Sequence, residues 1–493
     1  MISKKKLKKS LNHFSFLKSS KNLSELFTKN LPTKNKNWLL LPLDNLIDKK
    51  IFFKKIDISY WIKNENKLAF YLVKNNFIPE IIIGITIEDN YDINLSIIYG
   101  KNKKFEITES LICLIKYFRE IIFIKDFTFH KSVNRENLKK ILNNDIFKVK
   151  KNILTAGPSI SLLEISNTNK AVRYGWNEKH SDYIKKFESC FAKYIGVKHA
   201  LSTSSCTGAI QIALMALNLG SNDEVIVPDL TWVATAAAVR EAGAKPIFAD
   251  IELDSWTIDP DSIKKKITKR TKAIIVVHLY GQPARMDKII RIAKKYKIKI
   301  IEDAAASIGA EWKGTKCGNF GSFSTFSFQG AKLLVTGEGG MLVTNDTVMY
   351  NKAYKIWNQG RNPHKQFWID QRGVKFKMSN MQAAFGLSQI LRVEEQIQMK
   401  RRIFSWYEKY LLNTKNIKLN KEIKNSKSIY WMVSILIDKK SKITRDKLMK
   451  FLMKNKIDTR PVFPSLSKFP IWHKNFKSPK NSIHISKYAL NLP

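Results

Sequence analysis

Between residues 224 and 303, short apolar runs and amphipathic stretches take turns along the chain, and this alternation restricts the fold more than any other feature. Glu224-Val225-Ile226-Val227-Pro228 is a short run suited to burial on both faces. Trp232 to Ala242 follows as a small-residue helix. Pro246-Ile247-Phe248-Ala249-Asp250 and Ala273 to Leu279 are two more strands. Met286 to Tyr296 is an amphipathic helix, and Ile298 to Ile301 is the next strand. Such alternation predicts an α/β fold: a mostly parallel sheet with flanking helices. Its crossovers are right-handed, and ligands sit beyond the carboxyl ends of the strands. Ile300-Ile301-Glu302-Asp303 brings two acids to one such end.

The next informative residue is Lys332, in Phe326-Ser327-Phe328-Gln329-Gly330-Ala331-Lys332, with Thr336-Gly337-Glu338-Gly339-Gly340 close behind. A buried lysine loses its proton readily and attacks a carbonyl as a neutral amine. An aspartate at a strand end, Asp303, holds a pyridinium proton. The two together are the minimal protein kit for pyridoxal 5'-phosphate, PLP. Three further positions each carry two readings. Ser204-Ser205-Cys206-Thr207-Gly208 precedes an apolar helical run, so it is either an anion site at a helix start or a plain N-cap. Trp232 either stacks on a flat heteroaromatic ring or fills core. Ser327 is either a phosphate ligand or a strand hydroxyl bonded to backbone.

At 493 residues the chain is long enough for two or three domains. Residues 1–37 are rich in Lys, Ser and Asn and lack an apolar signal core, which predicts a basic flexible lead; an organellar transit peptide is the other reading. Residues 38–149 are short on glycine, and the boundary falls between Lys148 and Asn152. Residues 150–398 carry the motifs above. From Met399 the pattern changes to a long helix through Arg401-Arg402 and Tyr407. Ser428 to Ile437 then alternates like a strand with one exposed face, and Arg445 to Lys454 is a helix, together a smaller α+β domain over 399–493. The net charge of +44 raises the question of a nucleic-acid partner. The lysines, however, rise together with Ile and Asn throughout and form no stripe, so no nucleic acid is expected; a positive field also draws a phosphorylated substrate. No apolar run is long enough for a bilayer, so no membrane partner is expected. Cys113, Cys190, Cys206 and Cys317 have no zinc-ligand spacing, and the reading is no metal and reduced thiols in the cytoplasm.

Residues from about 156 to 493 resemble the DegT/StrS family of nucleotide-sugar aminotransferases, fold-type I PLP-dependent transferases of the aspartate-aminotransferase kind. The matching stretches run in order: Ser204 to Ala209, Gly220 to Ala237, Gly243 to Asp250, Val277 to Pro283, Glu302 to Ala310, Phe326 to Asp346 and Gly373 to Gln389. Val227-Pro228-Asp229-Leu230-Thr231-Trp232 and Lys375-Phe376-Lys377-Met378-Ser379-Asn380 most resemble the branch that aminates 4-keto-6-deoxy sugars, as in perosamine synthesis. The resemblance implies that Lys332 bonds to the cofactor and shuttles protons. It implies that Asp303 pairs with the pyridine nitrogen and Trp232 stacks on the ring. Cys206 and Thr207 would hold the phosphate, helped by Ser327. It also implies a homodimer whose sites span a two-fold interface, with Lys375 standing where many members carry an asparagine that reaches the neighbour's cofactor phosphate. Ala306 stands where the family has Gln or Glu. The chain stops at Leu490-Asn491-Leu492-Pro493, short of the family's last helix, which implies truncation. The implied reaction moves an amino group, from glutamate, to a nucleotide-linked 4-keto-6-deoxy sugar; a PLP-binding regulator without turnover is the rival reading.

In the first region, Asn94 to Ile98 reads as a strand, Thr108 to Phe118 as a helix, Ile122 to Phe129 as a strand and Asn134 to Leu142 as a helix. This order weakly resembles a GNAT acetyltransferase, an α+β fold that binds acetyl-CoA on a glycine-rich loop. Here that loop, Tyr99 to Glu106, has one glycine and a bulky Phe105. The domain is therefore either a structural or substrate-presenting module, or the second half of a bifunctional aminotransferase and N-acetyltransferase. Weak or absent acetyl-CoA binding is expected.

Overall fold

The computed structural model describes residues 153–493, apart from 473–475 and 477–478, and before them five strands. The chain divides into two compact units, one holding residues 1–150 with Ser161–Leu163 and the other the remainder. The strands of the first unit are β1 (Leu39–Pro42), β2 (Lys67–Val73), β3 (Pro79–Ile87), β4 (Ile93–Gly100) and β5 (Asp126–Phe129). They form one sheet in chain order. All pairings are antiparallel except β4 with β5, which is parallel. Between Tyr99 and Ile97 the register on β3 slips, so Ile98 is an extra residue in the ladder. The strand expected at Asn94 to Ile98 lies inside β4. The basic lead, both expected helices and the loop beyond Gly100 lie outside the described residues.

The second unit is built on a seven-stranded sheet. Its strands are β6 (His199–Thr203), β7 (Glu224–Pro228), β8 (Lys245–Ala249), β9 (Thr271–Val277), β10 (Lys299–Asp303), β11 (Phe323–Ser327) and β12 (Gly340–Thr344). The spatial order is β6-β12-β11-β10-β9-β7-β8. The run from β11 to β8 is parallel, and β12 pairs antiparallel with both β11 and β6. The central strands are covered on both faces: Val225, Ile226, Val227, Ile274, Ile275 and Val276 have no solvent exposure at all. Burial of each such side chain stabilises the fold by about 1.5–3 kcal/mol. That is why these stretches read as unbroken apolar runs.

Helices cover the sheet according to their faces. Helix α1 (Asp182–Ile195) buries Phe187, Phe191 and Ile195, and its two phenylalanines meet Phe326 and Phe328 edge-on or tilted. Helix α2 (Cys206–Ala216) is apolar on nearly every side and buries Ala209, Ile210, Ile212, Ala213 and Leu214. Helix α3 (Ala234–Glu241) is shorter than the stretch from Trp232 that its sequence announced. Helix α4 (Met286–Lys295) buries Met286, Ile289, Ile292 and Ala293 and turns its lysines outward. Among the described residues no helix is long and apolar enough to cross a membrane.

The C-terminal part carries a four-stranded sheet of β13 (Ile417–Leu419), β14 (Val433–Ile437), β15 (Arg460–Pro461) and β16 (Ala489–Leu492). Their order is β13-β14-β16-β15, antiparallel throughout. The long helix α5 (Val393–Leu411) starts six residues before the expected Met399, and α6 (Arg445–Lys454) has the expected bounds. One expectation fails here. Ser428 to Ile437 is not a strand with an exposed face: only Val433–Ile437 is strand, and Ser428 to Val433 are all buried. The segment before it packs against connections of the large sheet, where Ile429 approaches Gly281 and the Trp431 indole donates to the Ala331 carbonyl.

Candidate active site

The strand order brings three strand ends to one edge. On β10, Asp303 pairs in register with Val277 of β9 and Thr325 of β11. Neighbouring side chains on a strand point to opposite faces, so Glu302 and Asp303 diverge. Glu302 turns into the loop that follows and is fully buried. Its Oε1 accepts from the amides of Phe320 and Gly321, each at 2.7 Å, and from Ser324 Oγ at 2.8 Å. Its Oε2 accepts from the Gly318 amide at 2.8 Å and from His278 Nε2 at 3.0 Å. The His278 Nδ1 accepts from the Ala284 amide, so the ring proton sits on Nε2. Burial pushes the Glu302 carboxyl up, but His278 and the amides of Gly318 and Gly321 outweigh it and hold it below its ordinary value.

Asp303 turns the other way. One carboxylate oxygen accepts from Thr235 Oγ1 at 2.7 Å and the other from the Ala305 amide at 3.2 Å. Thr235 was not singled out in the sequence. The signal for it is a hydroxyl in the first turn of an alanine-rich helix.

Lys332 lies on the connection from β11 to β12. Its amide donates to the Gln329 carbonyl at 2.8 Å, and Leu333, Leu334 and Val335 anchor the turn in the core. The side chain is half-buried and ends with Nζ 4.0 Å from the centre of the Trp431 ring. Burial lowers its proton affinity, while the charge of Asp303 works against that. The fold therefore gathers Lys332, Asp303 and Cys206 into one electrostatic neighbourhood. The Cys206 thiol is pushed far up, first by burial and then by Asp303, so it is a neutral group there.

Ser205 caps α2, its Oγ accepting from the Gly208 amide at 3.1 Å. The amides of Cys206 and Thr207 have no acceptor within their own helix. Gly340 lies against this turn so closely that a Cβ on it would come within 2.5 Å of the Ser205 carbonyl carbon and 2.6 Å of the Cys206 nitrogen. The helix start is thus both an N-cap and a set of free donors with the dipole behind them. The Phe376 carbonyl accepts from the Ser204 amide at 2.8 Å, which puts Lys375, exposed, one residue from the same turn. Ser327 Oγ receives only the Gln329 amide, at 3.4 Å. Trp232 is 60% exposed, with its ring 5.7 Å from that of Phe463. These residues fit PLP: an amine of lowered basicity, a fixed carboxylate, a helix start for a phosphate, and an open aromatic face.

A mostly parallel sheet with an aspartate ending one strand and a lysine on a connection beside it defines the class of fold-type I PLP enzymes. Residues 158–493 match the model of the DegT/DnrJ/EryC1/StrS aminotransferase family, and the chain belongs to that family. It is 38% identical over 336 residues to a GDP-perosamine synthase of Escherichia coli O157:H7, covering 68% of this chain and 91% of that protein. It is 38% identical over 296 residues to a GDP-perosamine synthase of Caulobacter vibrioides, covering 60% and 80%. Among solved structures, DesI in the presence of its TDP-sugar product superposes with a TM-score of 0.64 at 27% identity, over 69% of this chain and 86% of that one. Aminotransferases of this family depend on PLP.

Proposed function

We propose that this protein transfers an amino group, from glutamate, to a nucleotide-linked 4-keto-6-deoxy sugar in surface-polysaccharide biosynthesis. The observation that carries the reading is Asp303 at the end of β10, next to β11 and the connection after it that holds Lys332, in a chain 38% identical to a GDP-perosamine synthase. PLP, when bound, supplies a carbonyl that accepts the amino group and a ring that accepts electrons. Cys206 and Thr207 would hold its phosphate by their amides, with Ser327 beside them and Lys375 reaching the phosphate of a second copy across a two-fold interface. Trp232 offers its exposed face to the ring.

The residues divide the chemistry. Asp303 is kept in place by Thr235 and Ala305 and would hold the proton of the cofactor's pyridine nitrogen. Lys332 has an amine that burial makes easier to deprotonate, so it would serve as the nucleophile toward the cofactor's carbonyl and as the general base and acid that moves protons. Neutral Cys206 adds no competing charge. The positive field of the chain favours a doubly phosphorylated sugar nucleotide. We place the enzyme in the cytoplasm.

The test is direct. Purified protein is incubated with glutamate and a set of nucleotide-linked keto sugars, and amination is read as a mass change. Borohydride reduction followed by peptide mapping should find the cofactor on Lys332. A reduced cofactor on another lysine, or no aminated sugar across the set, defeats the reading.

A further inference from the structure

We propose that Trp431 is a positioning residue for Lys332, its indole holding both the backbone and the charged tip of the lysine when that side chain is free. The inference rests on Lys332 being the reacting amine. Two contacts from one side chain carry it. Trp431 Nε1 donates to the Ala331 carbonyl at 2.9 Å, one residue before the lysine. The face of the same indole lies 4.0 Å from Lys332 Nζ.

The indole is itself fixed. It is 5% exposed and stacks on Tyr280 at 6.1 Å and 29°, and Tyr280 stacks on Phe463 at 5.3 Å and 27°. Tyr280 has a left-handed backbone, φ 53°, which a bulky residue adopts only where its surroundings impose it. Its hydroxyl accepts from the Phe463 amide at 3.2 Å. Gly281 follows, and any Cβ there would strike Ile429. Residues 429–431 thus press the aromatic wall against the turn that carries the lysine.

The chemistry gives this contact a use. A freed lysine must carry a proton at one moment and give it up at another. A carboxylate partner would hold the cation firmly, whereas an aromatic face holds it weakly and makes no covalent demand. The charged and titratable groups felt by Lys332 are Asp303 and Cys206. Asp303 acts on Lys332 through its charge, and the group the ammonium lies against is the indole, 4.0 Å from Nζ.

The test uses full-length protein freed of cofactor, with the rate of Lys332 labelling by trace acetic anhydride followed against pH and quantified on its peptide. Trp431→Leu should lower the apparent labelling pKa of Lys332 by about 0.4–1.5 pH units. Trp431→Phe keeps a ring and should shift it less. In the loaded enzyme, Trp431→Leu should lower kcat of the glutamate half-reaction by about tenfold or more with donor KM unchanged. Should the leucine variant not fold, Trp431→Met replaces it. A folded apolar variant whose labelling curve matches the parent overturns the proposal and makes Trp431 a core residue. Borohydride mapping of the parent is scored first: a cofactor found away from Lys332 removes the functional reading itself, a different failure.

Discussion

Replacing Glu302 by glutamine exchanges one oxygen acceptor for a donor at a site where five donors converge. With the amide turned one way, its NH2 group faces the Gly318 amide and His278. Turned the other way, it faces the amides of Phe320 and Gly321 and the Ser324 hydroxyl, which can rotate away. At least two buried donors are left unmet in either orientation. Each costs about 1–3 kcal/mol, so Glu302→Gln should destabilise the second unit by about 2–6 kcal/mol at pH 7. Urea unfolding followed by tryptophan fluorescence measures this as a shift in midpoint at unchanged slope. The pH dependence adds a second reading. The folded-state pKa of Glu302 lies below its ordinary value. Its stabilisation is therefore complete above the unfolded value, about 4.3, and is lost as pH falls through the lower folded value. The gap between parent and variant should be full at neutral pH and shrink on acidification below that range. A gap under about 1 kcal/mol at pH 7, or one that does not shrink in acid, would refute the reasoning.

Asp303→Asn should reduce turnover by about a hundredfold or more while cofactor binding survives, because an amide cannot keep the pyridine nitrogen protonated; near-normal turnover would show that the strand-end acid is misassigned. Thr235→Val should lower turnover less than Asp303→Asn, since it frees one carboxylate oxygen without removing the charge, and steady-state kinetics on both variants rank them. Light scattering should give a homodimer, and Lys375→Ala should weaken cofactor binding in it; a fully active monomer contradicts the shared site. Removing residues 1–149 should leave amination largely intact, with weak or absent acetyl-CoA binding by the full chain in calorimetry; micromolar affinity with acetylation of the amino-sugar product would make the protein bifunctional.

The parallel strands β7 to β10 were legible because they are buried apolar runs, whereas β6 and β11 mix Ser and Thr into the run and neither they nor β12 stand out in the sequence. Lys332 and Asp303 were legible because a lysine in a glycine-bounded turn and an acid ending an apolar run are local patterns. What joins them was not. Glu302 and Asp303 are adjacent and chemically alike, and only the face each occupies decides that one holds a loop and the other faces the lysine. Thr235 could not be picked out, since its partner lies 68 residues away. The alternation over Ser428 to Ile437 does not give a strand with an exposed face, because apolar alternation signals one only where one side meets water, and strand begins at Val433. Here both sides are covered, one by the C-terminal sheet and one by the aromatic wall beside Lys332.

The strand ends explain how one carboxylate comes to be set apart. Asp229 follows β7, Asp250 follows β8 and Asp303 ends β10, so three acids reach the same edge of the sheet. Asp229 is taken by the C-terminal part of the chain: its carboxylate accepts from the Ser465 hydroxyl and from the Ser467 amide at 2.7 Å. Asp250 accepts from the amides of Asn481 and Ser482 at 3.1 and 3.0 Å and from the Ser482 hydroxyl at 3.0 Å. Each of these acids thus serves as an anchor for a returning segment. Of the three, only Asp303 contributes to the electrostatics of Lys332. A lysine surrounded by several free carboxylates would be held as a cation and would be a poor nucleophile. Strand order does the rest: β7 and β8 lie two and three strands from β10, so at about 4.8 Å per strand Asp229 and Asp250 stand well along the edge from Asp303. Lys332 is left with one nearby carboxylate, a neutral thiol and an aromatic face, the setting in which an amine can change protonation state during a reaction.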